Sequence, residues 1–510
     1  MLPRHSLTGR ASRLAAYSTL LKYRTMASAV RTYDDAIRSL NSLQSNFAVL
    51  DAVRKSGKMM NDQAIPEMVA WARRVGYNPS DFNRLNIIHV AGTKGKGSTC
   101  AFASSILSEY RRAGVLQKTG LYTSPHLRAV RERIQINGEP ISEETFAKYF
   151  FEVWDRIEES AKTEGLDRAD KPAYFRFLTL MAFHTYMREG VDTAIFEVGV
   201  GGEYDSTNII QNPTATGITS LGIDHVGVLG NTIESIAWNK AGIFKNGSPG
   251  FTVDQPPSAM EVLKQRAEEK GTSLQLVRVH PEIQNGAVQL GLKADFQLGN
   301  ASLAVALVEA HLKALGHPVN VSSEAPLPEG FKRGLQNVEW AGRCQVIQQA
   351  NIEWNIDGAH TMESLDAAGK WFADKLDKPR KRVLIFNQQK RDAPENLLGA
   401  LAASLKRQIA DADSLFDHAM FCTNITWKEQ GYKPDLMSVG SDTAAVTALT
   451  VQKALASAWH DADQKAQTHV LKTVEEAVDM VRSLEGDVQV LVTGSLHLVG
   501  GFLEVLDPQT

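Results

Sequence analysis

The stretch Ile87-Ile88-His89-Val90-Ala91-Gly92-Thr93-Lys94-Gly95-Lys96-Gly97-Ser98-Thr99 decides the fold class of this chain. An apolar run typical of a β-strand leads into a glycine-rich turn with two lysines, and residues 100–110 favour a helix. This order of strand, turn and helix is the context that a phosphate-binding loop requires. Glycines let the backbone curl so that successive N–H groups point at phosphate oxygens, and the helix N-terminus adds a favourable dipole. The predicted phosphate contacts are Lys94, Gly95, Lys96, Gly97 and Ser98.

The loop departs from the strict pattern G-x-x-x-x-G-K-[ST]. Gly97 follows the pair Gly95 and Lys96 where a hydroxyl residue is required, and the leading glycine, Gly92, is out of place. A glycine-rich turn without a ligand is therefore the alternative interpretation. The strand before the loop, the helix after it and the two lysines inside it favour nucleotide binding, with Lys96 against the β- and γ-phosphates.

Glu197 stands at the end of a second apolar segment, immediately before the turn Gly199–Gly202. A carboxylate at the carboxyl end of a buried parallel strand is costly unless it meets a cation. Ligands of open α/β sheets bind at that same edge. We interpret Glu197 as a magnesium ligand, and a salt-bridged acid of the core is the alternative.

Alternating strand-like and helix-like segments predict two α/β domains, which a chain of 510 residues is long enough to form. Predicted strands of the first domain are 87–91, 115–122, 193–198 and 216–220, with helices at 33–50, 62–75, 142–161 and 174–188. Predicted strands of the second are 344–348, 382–386, 418–422 and 488–493, with helices at 362–372, 397–410, 443–458 and 474–484. We expect a leader at 1–33, a P-loop domain with a mainly parallel sheet at 34–325, a Ser/Pro/Glu-rich linker at 326–334 and a smaller Rossmann-like domain at 335–510.

Composition excludes several classes of function. The net charge of −3 offers no basic field for nucleic acid. The three cysteines, Cys100, Cys344 and Cys422, lack metal-ligand spacing and indicate a reducing compartment without structural disulfides. Apolar runs are interrupted well before membrane-spanning length, so we expect no integral membrane segment.

Further motifs extend the pattern of the phosphate loop along the chain. They are Thr119–Leu127 (TGLYTSPHL), Arg131–Gly138 (RERIQING), Tyr174–Thr179 (YFRFLT), Glu197–Gly202 (EVGVGG), Gly222–His225 (GIDH), Trp238–Lys245 (WNKAGIFK), Trp340–Arg343 (WAGR) and Asp357–His360 (DGAH). In this order they resemble the folylpolyglutamate synthase branch of the Mur-type amide ligases. The resemblance covers nearly the whole chain beyond the leader, and Lys94, where bacterial relatives usually have asparagine, resembles the eukaryotic form.

The resemblance implies roles for residues of the first domain. Positions that match Ser124, Glu197 and His225 bind magnesium, although magnesium prefers oxygen to imidazole. The lysine that matches Lys240 carries a carbamate, which can bridge a second Mg²⁺ and requires a pKa depressed by burial or positive charge. An ordinary helix-surface lysine is the alternative for Lys240, and the residues alone favour that alternative.

Residues of the second domain are implied to act across an interdomain cleft. Arg343 and Asp357 match residues that contact ATP, and His360 is placed to reach the γ-phosphate. A helix N-cap is the alternative for Asp357. Tyr174 and Phe175 are candidates for a pterin pocket, with simple core packing as the alternative. The predicted catalytic residues are Lys96, His225, Lys240 and His360.

The implied activity is an ATP-dependent ligation of L-glutamate to the γ-carboxylate of a reduced folate through an acyl phosphate. The expected cofactors are ATP and Mg²⁺ at two sites, with a monovalent cation as an additional candidate, and we expect a monomer. Three alternatives stay open. They are a dihydrofolate synthase acting on dihydropteroate, a nucleotide-binding switch and a non-catalytic folate-binding protein. The absence of an N-K-x-D signature argues against the switch, and the complete set of site residues argues against the loss of catalysis.

The first 33 residues have the composition of a mitochondrial transit peptide. No Asp or Glu precedes Asp34, and the basic residues of this segment include Arg4, Arg10, Arg13, Lys22, Arg24 and Arg31. A disordered basic tail is the alternative. Met26 lies inside the segment, and translation from it would give a cytosolic form, so we expect the protein in both the mitochondrion and the cytoplasm.

A reporter fusion tests this leader. Residues 1–33 fused to a fluorescent protein should direct import into mitochondria, because the segment is basic, rich in hydroxyl residues and free of acids. The matched control begins at Met26 and should leave the reporter in the cytosol. A cytosolic signal from the full 1–33 fusion would contradict the assignment.

Overall fold

The computed structural model describes residues 31–44, 62–376, 380–389, 393–409, 413–429, 434–436 and 443–507. These residues form two α/β units, each built on one mainly parallel sheet. The predicted fold class, a P-loop α/β domain followed by a smaller Rossmann-like α/β domain, is confirmed. Met26 and most of the predicted leader lie outside the described residues. No helix within the described part of the chain has the length and apolarity that a membrane span requires.

The first unit has an eight-stranded sheet in the order β4-β3-β2-β5-β1-β6-β7-β8. Its strands are β1 (Ile87–Ala91), β2 (Thr119–Tyr122), β3 (Ile134–Ile136), β4 (Glu139–Pro140), β5 (Thr193–Glu197), β6 (Ala215–Ile218), β7 (Gly250–Thr252) and β8 (Leu274–Leu276). Its helices are Tyr33–Asn41, Ala64–Val75, Lys96–Arg112, Glu143–Glu164, Tyr174–Glu189, Val226–Leu229, Ile233–Lys240, Pro257–Lys270, Pro281–Gln284, Phe296–Ala314 and Glu329–Gln336. Short 3₁₀ helices span Pro79–Leu85, Val130–Arg133, Ser206–Ile209 and Ala241–Ile243.

Strand β1 occupies the centre of this sheet and pairs in parallel with β5 on one side and β6 on the other. Alternate residues of β1 enter cores on opposite faces: Ile87 packs in one, and Ile88 and Val90 pack in the other. After β5 the chain passes to the other side of β1 and forms β6 there, so the strands that follow are added in the opposite direction along the sheet. Such a switch point opens a crevice at the carboxyl ends of the strands, where α/β sheets bind ligands.

The second unit has a six-stranded sheet in the order β13-β12-β11-β14-β10-β9, in which only β9 is antiparallel. Its strands are β9 (Gln345–Gln349), β10 (Ile352–Ile356), β11 (Lys381–Phe386), β12 (His418–Cys422), β13 (Gln467–Leu471) and β14 (Val488–Thr493). Its helices are Met362–Ala373, Pro394–Gln408, Thr443–Ala448, Thr450–Ala462, Val474–Arg482 and Leu496–Leu506, with a 3₁₀ turn at Pro434–Leu436.

The segment 326–334 does not form the linker that its composition predicts. Most of it belongs to the helix Glu329–Gln336, which packs against helix Lys96–Arg112 of the first unit. Phe331 and Leu335 are fully buried in the core of that unit. The chain passes between the two sheets at 337–344, which is shorter and later than predicted.

Other predicted boundaries also change. The helix predicted at 443–458 is interrupted at Leu449, whose φ of 56° is left-handed and incompatible with a continuous helix. Strands β10 and β13 and helix Phe296–Ala314 were not predicted. Residues 31–33, at the end of the predicted leader, are part of the described structure: Arg31 pairs with Asp155, and Thr32 caps the helix that begins at Tyr33.

Truncation of Phe331 tests whether helix Glu329–Gln336 is part of the first core. Phe331→Ala should lower the free energy of unfolding by about 3–5 kcal/mol, because it removes a fully buried ring and leaves a cavity. Urea unfolding measures this loss. Leu166→Ala, at an exposed position, is the control and should change stability by less than about 0.5 kcal/mol. An equally small effect of Phe331→Ala would mean that the segment is a linker after all.

Candidate active site

The phosphate loop connects β1 to helix Lys96–Arg112. Gly95 precedes the helix with a φ of 86°, and Gly92 has a φ of 147°. A Cβ at Gly95 would lie 2.2 Å from Oδ1 of Asn300, and one at Gly92 would lie 1.8 Å from Oγ1 of Thr219. Both positions therefore need glycine, and the loop presents a helix N-terminus at the carboxyl edge of the sheet, as the sequence predicts.

Two lysines share one acceptor in this loop. Nζ of Lys96 donates to the carbonyl oxygen of Gly92 at 3.0 Å, and Nζ of Lys240 donates to the same oxygen at 2.7 Å. Lys240 is only 3% exposed, so the surface-lysine alternative is wrong. Burial and the charge of Lys96 hold the pKa of the Lys240 ammonium well below its ordinary value.

The glycine turn after β5 packs directly on the helix that carries Lys240. A Cβ at Gly202 would lie 2.7 Å from the carbonyl oxygen of Asn239 and 2.8 Å from that of Lys240. Asp205 holds the turn, because its carboxylate accepts from the N–H groups of Val200 and Thr207 at 3.0 Å each. Sequence reasoning did not single out Asp205, which has no motif of its own beside the glycines.

Glu197 and Ser124 are in direct contact. The N–H of Ser124 donates to Oε2 of Glu197 at 2.9 Å, and Glu197 is 4% exposed. Burial raises the pKa of the Glu197 carboxyl, while Lys96, the Ser124 N–H, Arg343 and Arg133 act to lower it. No ion pair with Glu197 forms among the residues that the structure describes, which argues against the salt-bridged alternative.

These two residues fit a magnesium ion. A buried carboxylate without an ion pair and an adjacent hydroxyl residue supply the oxygen donors that Mg²⁺ prefers. Across the described ranges, no three or more His, Cys, Asp or Glu side chains form a group that could hold a metal ion. Mg²⁺ commonly binds one or two carboxylates together with substrate phosphates and water, so one carboxylate and one hydroxyl residue are compatible with it.

His225 lies beyond β6 on the same edge of the sheet and is exposed, with a left-handed φ of 53°. Its N–H donates to Oδ1 of Asp224 at 2.8 Å. The other carboxylate oxygen of Asp224, Oδ2, meets Nζ of Lys94 at 3.3 Å. The predicted phosphate contact Lys94 is thus engaged with Asp224, and the predicted phosphate-loop residue Ser98 accepts from Nε2 of Gln297 at 3.2 Å.

The predicted residues of the second domain lie near the turn after β10. The charge of Arg343 acts to lower the pKa of both the Glu197 and the Asp357 carboxyl groups, and a Cβ at Gly358 would lie 3.1 Å from its guanidinium. The carboxylate of Asp357 is buried and accepts from the N–H of Cys344 at 2.9 Å. The helix N-cap is Thr361, so the N-cap alternative for Asp357 is wrong. His360 bonds through Nδ1 to the carbonyl of Gly358 at 3.0 Å.

A chain of contacts that sequence reasoning missed links the two units. Asp435 accepts from the hydroxyl of Tyr33 at 2.5 Å and from the N–H of Val130 at 2.8 Å. Nε2 of His126 bonds to the Asp435 carbonyl at 2.8 Å, and Nδ1 of the same ring accepts from Nε of Arg133 at 2.9 Å. The RERIQING and TSPHL motifs carried Arg133 and His126, but nothing in the sequence pointed to Asp435.

The candidate pterin residues adjoin this chain of contacts. The Arg133 guanidinium lies 5.6 Å from the centre of the Tyr174 ring. Phe175 packs against the turn after β5, where a Cβ at Gly199 would lie 2.4 Å from its ring. Both aromatic side chains are only partly buried, so they are accessible at the site as well as packed.

Comparison with known proteins agrees with this geometry. The folylpolyglutamate synthase of Saccharomyces cerevisiae (strain ATCC 204508 / S288c) is 50% identical over 491 residues, which cover 94% of this chain and 87% of that protein. The chain belongs to the folylpolyglutamate synthase family. Residues 338–505 also match the family model described as dihydrofolate synthetase, C-terminal domain.

Solved structures of the folylpolyglutamate synthase family share the fold. Mycobacterium tuberculosis folylpolyglutamate synthase complexed with ADP has a TM-score of 0.67 at 24% identity, covering 93% of this chain and 100% of that one. E. coli FolC in complex with DHPP and ADP has a TM-score of 0.64 at 23% identity, covering 91% and 98%. These structures share the fold, and the 50% identity to the Saccharomyces cerevisiae protein confirms the family membership that the motifs imply.

Replacement of the buried lysine tests its electrostatic cost. Lys240→Met should raise the free energy of unfolding at pH 7 by about 1 kcal/mol, because burial disfavours the ammonium form of Lys240, an apolar side chain carries no such cost, and Lys96 still donates to Gly92. Activity should be lost. Urea unfolding in CO₂-free buffer measures the gain, and Lys264→Met at an exposed position is the neutral control.

The gain should depend on pH. Between its depressed pKa and the ordinary value of 10.5, Lys240 binds fewer protons in the folded state than in the unfolded state, so wild-type stability rises with pH there. The advantage of Lys240→Met should therefore shrink as the pH approaches 10. A destabilised variant at pH 7, or a gap that widens with pH, would contradict a depressed pKa.

Proposed function

We propose that this chain is an ATP-dependent carbon–nitrogen ligase that adds L-glutamate to the γ-carboxylate of a (tetrahydro)folate and releases ADP and phosphate. One observation supports this most strongly: Glu197, a buried carboxylate at the end of β5, is under the charge of Lys96 from the phosphate loop and of Arg343 from the second domain. Lys96 and Arg343, one from each unit, thus both act to lower the pKa of the same buried carboxyl group, and transfer of a phosphoryl group requires positive charge of this kind.

The reaction proceeds in two steps. The γ-phosphoryl group of ATP passes to a terminal carboxylate oxygen of the folate, which gives an acyl phosphate and ADP. The amine of L-glutamate attacks the acyl carbon, and phosphate leaves from the tetrahedral intermediate. Lys96 and Arg343 neutralise charge that develops on the transferred group. Mg²⁺, when bound by Ser124 and Glu197 with His225 at the same edge, supplies further neutralisation and orients the phosphates.

The second unit protects the acyl phosphate from water. Trp340 lies against the phosphate loop, where a Cβ at Gly97 would be 3.4 Å from its Nε1. The loop that follows Ser124 meets helix Leu496–Leu506 so closely that a Cβ at Gly500 would lie 1.9 Å from the carbonyl oxygen of Leu127. Close packing at these two places would limit the access of water to a reactive intermediate formed between the units.

Finer features of the proposal extend to cofactors and cellular context. A depressed pKa makes Lys240 a suitable amine for carbamylation, and the carbamate would face a second Mg²⁺. A monovalent cation is a further candidate cofactor. We propose a monomer, present in mitochondrion and cytoplasm through the leader at residues 1–33 and a start at Met26.

Dihydrofolate synthase activity is the second candidate. The match of residues 338–505 to a dihydrofolate synthetase domain favours it, since the same ligation on dihydropteroate needs the same phosphate chemistry. Measurement of ADP release with tetrahydrofolate or dihydropteroate as the acceptor, each with and without L-glutamate, separates the two. ADP release with tetrahydrofolate that depends on L-glutamate supports the proposal. Glutamate-dependent ADP release with dihydropteroate but not with tetrahydrofolate would replace the proposed activity by that of a dihydrofolate synthase.

Loss of the loop lysine should abolish turnover. Lys96→Ala removes a charge-stabilising group and should lower kcat by about 10²–10³. The fold should survive, because Lys240 still donates to Gly92. The measurement is ADP release by the purified variant, with circular dichroism to verify folding. Near-normal turnover in a folded Lys96→Ala enzyme would remove the phosphate-loop assignment.

A further inference from the structure

The first part of the phosphate loop, Thr93 and Lys94, is hydrogen-bonded to the segment that follows β6. The N–H groups of Thr93 and Lys94 both donate to the carbonyl oxygen of Ser220, at 3.0 and 3.1 Å. The hydroxyl of Thr93 donates to the carbonyl of Gly222 at 3.1 Å. These bonds fix the loop and the segment 219–225 as one unit, so a side chain on the loop can set the position of a residue on the segment.

Lys94 makes such a connection through its side chain. Its ammonium meets Oδ2 of Asp224 at 3.3 Å, and the exposed side-chain fraction is 29% for Lys94 but only 6% for Asp224. Removing one partner of a nearly buried ion pair is unfavourable, because the remaining charge stays away from water. The orientation of Asp224 therefore depends on Lys94.

Asp224 uses its other oxygen on His225. Oδ1 accepts from the N–H of His225 at 2.8 Å, and His225 has the left-handed φ of 53°. That conformation costs a non-glycine residue roughly 1 kcal/mol and needs local support. The single carboxylate thus meets the lysine with one oxygen and supports the strained histidine backbone with the other.

We propose that Lys94 is a positioning residue that acts through Asp224 to hold His225 at the metal-binding edge, rather than a phosphate contact. The inference rests on the proposed function, which makes His225 a magnesium ligand. It assigns the two lysines of the loop different tasks: Lys96 serves the phosphates, and Lys94 serves the metal ligand on the neighbouring segment.

Metal affinity and nucleotide affinity separate these roles. The metal probe is Mn²⁺, titrated into the full-length enzyme in the presence of ADP and followed by electron paramagnetic resonance. Lys94→Met should weaken Mn²⁺ binding by about 10–100-fold, the usual effect of losing an outer-shell partner. Lys94→Arg, which keeps the cation, should stay near wild type. The KM for ATP at saturating metal should change by less than about threefold. Loss of one charge-assisted hydrogen bond to a phosphate would raise it by more than that, by about tenfold or more.

Two controls accompany these variants. Lys332→Met removes a partly buried lysine from an ion pair with Glu282 in the same unit and should leave Mn²⁺ binding unchanged. Asp224→Asn should weaken Mn²⁺ binding as Lys94→Met does, and the double variant should be little worse than either single one, because both act through one bond. Thermal unfolding checks each variant, and Lys94→Gln replaces Lys94→Met if the latter does not fold.

Several results would overturn the inference. They are wild-type Mn²⁺ affinity in Lys94→Met, additive losses in the double variant, and a tenfold rise in the KM for ATP with unchanged Mn²⁺ affinity, which would make Lys94 a phosphate contact. Failure of the proposed function looks different. In that case the wild-type enzyme shows no glutamate-dependent ADP release, while the Mn²⁺ measurements still report on Lys94.

Discussion

The carbonyl oxygen of Gly92 accepts hydrogen bonds from the ammonium groups of Lys96 and Lys240. Gly92 directly follows the central strand of the first sheet, so this oxygen joins the phosphate loop and the helix Ile233–Lys240 at the same point. The turn after β5 packs on that helix through Gly202, which places Glu197 beside the loop. The geometry of the phosphate loop, the candidate metal carboxylate and the buried lysine thus follows from one acceptor.

The ionisable side chains around this acceptor lower the stability of the folded protein. Lys240 is buried with a depressed pKa, and Glu197 is buried with a raised one, so each ionised side chain is unfavourable in the folded protein. Neither forms an ion pair with the other among the interactions described. Strain of this kind persists at functional sites because ligands relieve it. Binding of nucleotide and metal should therefore stabilise the first unit both through the contacts that the ligands make and by relieving these unfavourable charges.

The sequence predicted the parts of the site that depend on local order. Strand, turn and helix around Gly95 follow from residue pattern alone, and Glu197 was found because an acid at the end of an apolar strand is anomalous. Burial of Lys240 and the pairing of Lys94 with Asp224 arise only when distant segments meet, so no local pattern reveals them. The linker prediction at 326–334 was wrong because Ser, Pro and Glu residues are typical of linkers, whereas the i, i+4 spacing of Phe331 and Leu335 is that of a buried helix face. Helix Phe296–Ala314 was missed because it is apolar on most sides and lacks an amphipathic pattern.

The hydroxyl of Tyr33 reaches Asp435 on the other unit, and Asn41 on the same helix donates to the Pro434 carbonyl at 3.0 Å. The helix Tyr33–Asn41 therefore contacts both units of the molecule. Cleavage of the leader proposed above would have to occur before Arg31 to keep this helix intact, because a cut after Tyr33 would remove the hydroxyl that bonds to Asp435. The contacts between this helix and the second unit would thus limit where a cleavable leader could end.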